Sequence, residues 1–493
     1  MKKIVLGMLV VVALAACIFC MIRPRRPGRP NVVLVSIDTL RADHLRCYGY
    51  GRETSPFLDS LARKGIRFQD AIVQSNWTLP SHVSMLTSLY PAVHRVQRDT
   101  DKMGPALNTM AEVLKRAGYY TAAFVDGGVM SADFGFGQGF DLYDDHSKGR
   151  DKNKRALHWI REHRRGPFFL FYHTYDVHFP YIHHPRPRTL MDDMEMKSIA
   201  DRINKGDYNL TDDEFEKAVL SWCTVPGFYR MITPNKLEPF KPAMRRFFQE
   251  RWPRMPSFNE SLRYLIDAYD GGISYFDARF KGLWDLVCEM GVDKNTVLII
   301  TSDHGECFLE HGDLGHPELL YEEVVRVPLI VVSPLLPQRG VIVQRQVMSI
   351  DILPSVLELL KLGRLPHLQG ESFMPYIEGG EKGDSRPAYA DALEIDAART
   401  DTWKFIQRAE GDAGRKPALS PVPELFNLEK DPGEKTNLAA KDAPASEKLG
   451  RQLREWRAEN ERLRTQLGLD KAAEKVTLDK QTVEELRALG YLQ

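Results

Sequence analysis

The chain has no net charge, few cysteines and a single long apolar run, and each shortage removes a class of function. Its 67 basic side chains balance 67 acidic ones over 493 residues. No basic stripe interleaved with aromatics appears, which excludes a general grip on a nucleic-acid backbone. Of six cysteines, Cys17 and Cys20 lie in the apolar run. Cys47, Cys223, Cys288 and Cys307 have neither paired nor CxxC spacing, so free buried thiols are expected rather than a disulfide framework. With 43% hydrophobic residues, the chain buries a large core as one large or two unequal domains.

The apolar run extends from Ile4 to Ile22, 19 residues, enough at ~1.5 Å per residue to cross a ~30 Å hydrocarbon core. A membrane anchor is expected. The alternative is a cleaved signal, because Leu14-Ala15-Ala16-Cys17 resembles a bacterial lipobox whose cysteine would be lipidated. Against it, the apolar stretch continues through Ile18-Phe19-Cys20-Met21-Ile22. Lys2 and Lys3 precede the run, while Arg23, Arg25, Arg26 and Arg29 follow it; that count favours a cytoplasmic body. The proline-broken arginines instead read as a short stiff linker to an exported one. Residues 1–30 are therefore expected to form an anchor or signal with its linker.

Val32 to Ile37 and Thr296 to Thr301 are β-branched apolar runs that each stop before a carboxylate, Asp38 and Asp303. Such runs suit central strands of a parallel sheet covered on both faces, with ligand groups at the strand ends. Tyr120 to Val125, Phe168 to Tyr172 and Pro328 to Val332 read as further strands of this type. Helices are expected over Pro56 to Lys64, Ser81 to Ser88, Thr109 to Ala117 and Ile273 to Met290. Residues 183–262, rich in aromatics and methionine, read as a helical insertion packed on the core, with a substrate lid as the alternative. Toward the end, Leu449, Leu453 and Trp456 keep helical spacing, and a short helix capped by Asp479 and closed by Gly490 is expected.

Six ordered segments carry a resemblance. Asn31 to Asp43 and Thr301-Ser302-Asp303-His304-Gly305-Glu306 resemble the two metal motifs of the sulfatase family in the alkaline-phosphatase-like superfamily. Asn76-Trp77-Thr78-Leu79-Pro80-Ser81-His82 is similar to the sulfatase nucleophile signature, and Asp176-Val177-His178-Phe179-Pro180-Tyr181 and Gly315-His316-Pro317 follow in the family's order, as does Glu424 to Glu434. The resemblance implies an α/β fold with a central, mostly parallel sheet flanked by helices. It divides the chain into a catalytic domain over 31–383 and a C-terminal part over 384–493, which holds a small antiparallel sheet with Trp403-Lys404-Phe405-Ile406 as one strand.

Thr78 falls on the position where the family has a cysteine or serine that becomes formylglycine. Threonine has no primary Cβ to form that aldehyde, so no formylglycine is expected, and any chemistry here uses a hydroxyl. The resemblance makes Asp38, Thr78, Asp303 and His304 a site for one divalent metal. Thr39 replaces a family carboxylate, His304 replaces the common Asn, and His82 replaces the Arg that braces formylglycine. Exchanging a carboxylate for an imidazole favours Mn²⁺ or Zn²⁺ over Ca²⁺ or Mg²⁺. Relatives in the superfamily that pair a Thr nucleophile with Asp-His act on phosphoryl groups.

His178 and His316 match positions that contact the anion or protonate the leaving group, and His82 completes the expected substrate contacts. Asp176 with His178 and His316 offers an alternative second metal site. Helix capping would by itself explain Thr78 and Asp38, and loop bracing would explain Arg41, Asp43 and His94. Asn76-Trp77-Thr78 forms a glycosylation sequon, discounted because a glycan there would block the pocket. The expected function is hydrolysis of a sulfated or phosphorylated small molecule, glycan or lipid at the cell envelope. The alternatives are an envelope phosphotransferase, disfavoured by a single apolar run, and a non-catalytic binder of such glycans.

Overall fold

A computed structural model describes residues 28–145, 151–183, 191–225, 228–336, 339–379, 385–393, 395–408, 423–471 and 473–478, with positions 483 and 486. The apolar run, Asp479 and Gly490 lie outside the described residues. No helix among those described is long and apolar enough to cross a membrane.

The large sheet is built from β1 (Asn31–Ile37), β2 (Ile66–Ile72), β3 (Tyr120–Phe124), β4 (Leu142–Asp144), β5 (Phe168–Thr174), β6 (Thr296–Thr301), β7 (Arg326–Val332), β8 (Val341–Val343) and β9 (Val347–Met348). Its order is β8-β2-β7-β6-β1-β5-β3-β4, with β9 also on β2. β1 pairs in parallel with β5 and β6, so the tips of the two carboxylate-terminated runs are neighbours. β7 runs antiparallel to both β6 and β2. Its sequence looked like its parallel neighbours because burial on two faces, not strand direction, sets an apolar run.

Alternation along the strands divides the core. Val32 and Leu34 face one apolar cluster with Phe169, Phe171, Val297 and Ile299. Val33, Val35 and Ile37 face the other with Leu170, Leu298 and Ile300. The first cluster takes in the helix α1 (Thr78–Thr87) and a four-stranded antiparallel sheet of β10 (Ala388–Ala392), β11 (Ile395–Arg399), β12 (Trp403–Arg408) and β13 (Glu424–Asn427). Leu449, Leu453 and Trp456 of the helix Ala443–Gln466 are buried against it.

The second cluster takes in the helices over 193–254, where Phe215, Phe247 and Trp252 stack. The helix expected from Ile273 begins at Phe258, as α2 (Phe258–Glu289). Asp270-Gly271-Gly272 reads as a break, yet a Cβ on Gly272 would stand 2.7 Å from the Asp176 carbonyl oxygen. That glycine permits close approach to the loop bearing His178. Cys47, Cys223, Cys288 and Cys307 are free, and Cys288 is exposed rather than buried.

Candidate metal and nucleophile site

Asp38 follows β1 and Asp303 follows β6, which brings both carboxylates to one end of the sheet. Thr78 opens α1 beside them. Its Oγ1 donates to Asp38 Oδ2 at 3.1 Å and lies 3.3 Å from His304 Nε2. Trp77 is the N-cap residue, so capping does not account for Thr78. All four side chains are fully buried.

The donor set suits a cation. His304 Nδ1 donates to the Gly305 carbonyl at 2.9 Å, which leaves the Nε2 lone pair facing Asp38 Oδ1 at 3.7 Å and Asp303 Oδ2 at 3.5 Å. Those two carboxylate oxygens have no hydrogen-bond partner among the described residues. Asp38, Asp303 and His304 can each offer a ligand atom within 4.8 Å of the others. Burial first, then the Asp303 carboxylate, pushes Asp38 well above the usual carboxylate range. Burial pushes His304 down to about 4, keeping it neutral and able to coordinate. A divalent ion resolves both problems, because it satisfies the orphaned oxygens and lets both acids ionise.

Thr39 adopts φ 59°, a strained conformation for a β-branched residue. Its hydroxyl donates to the Asp38 carbonyl and its amide to Asp303 Oδ1. His82 sits one helical turn past Thr78, beneath it rather than on the open side. Its Nδ1 donates to the Thr78 carbonyl at 2.8 Å, and Ser36 Oγ donates to its Nε2 at 2.9 Å. Both ring nitrogens expected to meet substrate are thus engaged, and burial lowers the ring's pKa.

His178 and His316 stand together, ring centroids 5.1 Å apart, with His316 4.7 Å from His304. His178 stacks on Phe179, and its Nδ1 donates to the Phe179 carbonyl at 2.5 Å. Asp176 instead pairs with Arg279 at 3.3 Å, and the described residues hold no second metal-ligand cluster. Arg41 braces a loop through Asp43 and Glu310, and His94, whose Nδ1 accepts from the Val96 amide, donates through Nε2 to Ser84 Oγ at 3.0 Å. Asn76 is buried and donates to the Pro317 carbonyl at 2.7 Å, which leaves no room for a glycan.

Sequence reasoning missed three participants. His173 Nε2 donates to Asp38 Oδ2 at 3.1 Å. Glu306, fully buried, accepts from His316 Nδ1 at 3.0 Å. Lys152 reaches the His173 carbonyl at 2.6 Å and Asp126 at 2.8 Å. The available signals were a polar residue closing an apolar strand, for His173, and a carboxylate inside the second metal motif, for Glu306.

The loop of that motif is held from behind. Gly305 and Glu306 donate their amides to the Val324 and Glu323 carbonyls at 2.7 and 3.1 Å. A Cβ on Gly305 would stand 2.0 Å from Glu323 O. Neighbouring Glu322 accepts from Arg399 Nε and Nη2, both at 3.0 Å. Lys404 Nζ lies 3.2 Å from Glu322 and 3.0 Å from Glu434.

Residues 30–362 match the Sulfatase family model, and residues 310–461 match the model described as N-sulphoglucosamine sulphohydrolase, C-terminal. The chain is 24% identical to arylsulfatase K of Gallus gallus, covering 87% of this chain and 83% of that protein. To choline-sulfatase of Rhizobium meliloti it is 23% identical, covering 84% and 83%. Among solved structures, one in complex with its substrate D-glucosamine-2-N,6-O-disulfate superposes with a TM-score of 0.65 at 20% identity, covering 88% of this chain and 98% of that one. The phosphonate monoester hydrolase of Agrobacterium radiobacter superposes at 0.63 and 20% identity, covering 88% and 96%.

Proposed function

The chain belongs to the sulfatase family of hydrolases, and on that premise we propose that it cleaves sulfate or phosphate esters through the hydroxyl of Thr78 without formylglycine. The observation that carries this reading is the Thr78 hydroxyl, 3.1 Å from Asp38 and 3.3 Å from His304 beside two orphaned carboxylate oxygens. Asp38, Asp303, His304 and Thr78 Oγ1 would hold one divalent ion, Mn²⁺ or Zn²⁺ from the mixed donor set. Such an ion lowers the pKa of a bound hydroxyl and polarises the ester oxygens.

Thr78 Oγ1 passes its proton to Asp38 Oδ2, to which it donates, and attacks sulfur or phosphorus, forming a threonyl ester as the bond to the leaving oxygen breaks. The same carboxylate returns the proton when the ester is hydrolysed. The first amides of α1 face the anion and favour its developing charge. His316, held through Nδ1 by Glu306, gives its Nε2 proton to the leaving alkoxide, and His178 contacts the anion. Water then hydrolyses the threonyl ester, releasing sulfate or phosphate and restoring the hydroxyl. Names of relatives that act on sulfated compounds favour a sulfated glycan or small molecule at the cell envelope, with the Ile4–Ile22 run as membrane attachment. The threonine and the Asp303-His304 pair favour a phosphorus ester as a second reading, consistent with the likeness to a phosphonate monoester hydrolase.

The test is turnover of paired aryl sulfate, phosphate monoester and phosphodiester substrates by metal-stripped and metal-restored protein. One of the three should respond to Mn²⁺ or Zn²⁺, and the Thr78 peptide should keep the mass of unmodified threonine. Activity on none of them under any metal, with folded protein, would leave the non-catalytic binder as the reading.

A further inference from the structure

The end of the large sheet opposite Thr78 has a character of its own. Arg63 and Lys64 close the helix Pro56–Lys64 before β2, and the segments entering the other strands carry Arg164 and Arg165 before β5, Lys294 before β6 and Arg339 before β8, all exposed. Among the described residues no carboxylate pairs with any of these six. The acids at this end are fewer: Glu162 and Glu289 in the last turns of the helices Lys152–His163 and Phe258–Glu289, Asp293, and Asp141 before β4, which is taken by Lys115 at 2.8 Å.

The loops form one surface. Arg29 Nη1 donates to the Ala117 carbonyl at 2.9 Å and Asn295 Nδ2 to the Arg29 carbonyl at 3.1 Å. The Tyr120 amide donates to Pro167 at 3.0 Å and the Gly340 amide to Gly65 at 2.7 Å. β7 also ends here, and Leu335 in the turn after it is 46% exposed. The described chain starts on this same surface at Gly28, immediately after Arg23, Arg25 and Arg26, so the linker from Ile22 to Asn31 reaches at most ~30 Å.

We propose that this end of the sheet lies on an anionic phospholipid bilayer, the one in which Ile4–Ile22 is anchored. The basic side chains meet headgroup phosphates and Leu335 enters the interface. Attraction of this kind adds with each Lys or Arg, needs the short linker to hold the surface within reach, and fades beyond a Debye length of ~8 Å. The seven-residue β1 separates this surface from Asp38 by about 23 Å. Thr78 therefore faces away from the bilayer, toward soluble or glycan-borne esters rather than headgroups of the same leaflet.

The experiment places the full chain in nanodiscs of phosphatidylcholine, with or without phosphatidylglycerol, and measures lysine acetylation by mass spectrometry. Lys64, Lys115 and Lys294 should be acetylated roughly threefold less or better in the anionic discs, and high salt should restore them. Lys435, which bonds to Glu310 at the catalytic end, should not change. In the R164E/R165E/K294E variant, protection of Lys64 should disappear while the thermal melt stays near wild type, which reports that the variant is folded. Equal acetylation in both discs, or a chain that joins neither, overturns the proposal. So does equal protection by soluble heparin with neutral discs, which would replace the bilayer with a polyanion. Acetylation does not depend on turnover, so this test and that of the hydrolase reading fail separately.

Discussion

Asp38 and Asp303 on one side of the 305–324 backbone contact, and the buried Glu434 with the partly buried Glu322 on the other, are enclosed acids with opposite solutions to the same problem. The Glu322 cluster is matched within the protein: Arg399 grips both oxygens of Glu322, and Lys404 lies between Glu322 and Glu434. Among the described residues the Asp38 cluster has imidazoles, a hydroxyl and amides for neighbours but no Lys or Arg, and leaves two carboxylate oxygens without hydrogen-bond partners. Burial alone therefore does not mark a functional site; an uncompensated buried charge does. The first cluster is finished as folded, whereas the second keeps a donor set that could accept a cation from outside.

The comparison can be broken most sharply at Thr78. Thr78→Ala should lower turnover at least about 10³-fold while metal content and urea midpoint stay near wild type, and Thr78→Ser should keep substantial activity. Near-normal turnover in the alanine variant would return the site to a binding role.

The next effect is on stability. Glu322→Gln should cost about 3–5 kcal/mol in urea unfolding, because buried Arg399 loses its bidentate partner and keeps only the Asp70 carboxylate at 3.6 Å, while Lys404 loses one of its two carboxylates. Asp303→Asn, measured in chelator, should cost under about 1 kcal/mol, since it removes one of two uncompensated charges and keeps an oxygen for the Thr39 and His304 amides. Equal losses would erase the distinction between the clusters.

Smaller still is the effect of metal. Chelation should lower wild-type stability by about 2.7 kcal/mol relative to protein with ion at a hundredfold excess over Kd, and Asp303→Asn should not respond. Elemental analysis should find about one ion per chain.

The smallest effect is on pH dependence. Burial raises the pKa of Glu322, but Arg399 and then Lys404 outweigh it and hold the group below its usual value. A depressed folded pKa gives stability that is present above the unfolded value near 4.5 and is lost as pH falls further. The gap between wild type and Glu322→Gln should therefore narrow below pH 4.5 by about 1.4 kcal/mol per pH unit, as read from thermal melts. A gap that widens on acidification would reverse the sign of the argument.

The sequence revealed the parts of the site that end apolar runs. Asp38 and Asp303 stood out because a carboxylate stopping a buried strand is conspicuous, and Thr78 because it opened a helix of small residues. His173 was hidden within Phe168–Thr174, where one polar residue looks like a strand terminus. Glu306 could not be joined to His316 without the fold, since the pairing of Cys307-Phe308 with Leu314-Gly315 is what brings them together. β2 reads Ile-Arg-Phe-Gln-Asp-Ala-Ile, too polar to be recognised as a buried strand. Its outward residues are held by neighbours such as Gln69, which accepts from Arg67 at 2.8 Å. Ion pairs across distant segments, such as Arg399 with Glu322, have no local pattern at all.

The backbone weld between Gly305 and Glu323 also has a consequence for the order of synthesis. A chain still leaving the ribosome with its first 380 residues has Asp38, Thr78, Asp303 and His304. It lacks Arg399, Lys404 and Glu434, the groups that neutralise and fix Glu322 beside the weld. The loop bearing two of the proposed ligands then rests on a turn whose carboxylate has lost the cations that fix it, so a nascent or truncated chain should hold that loop less firmly. Catalytic competence arrives with the last quarter of the polypeptide, although none of the proposed reacting groups resides there.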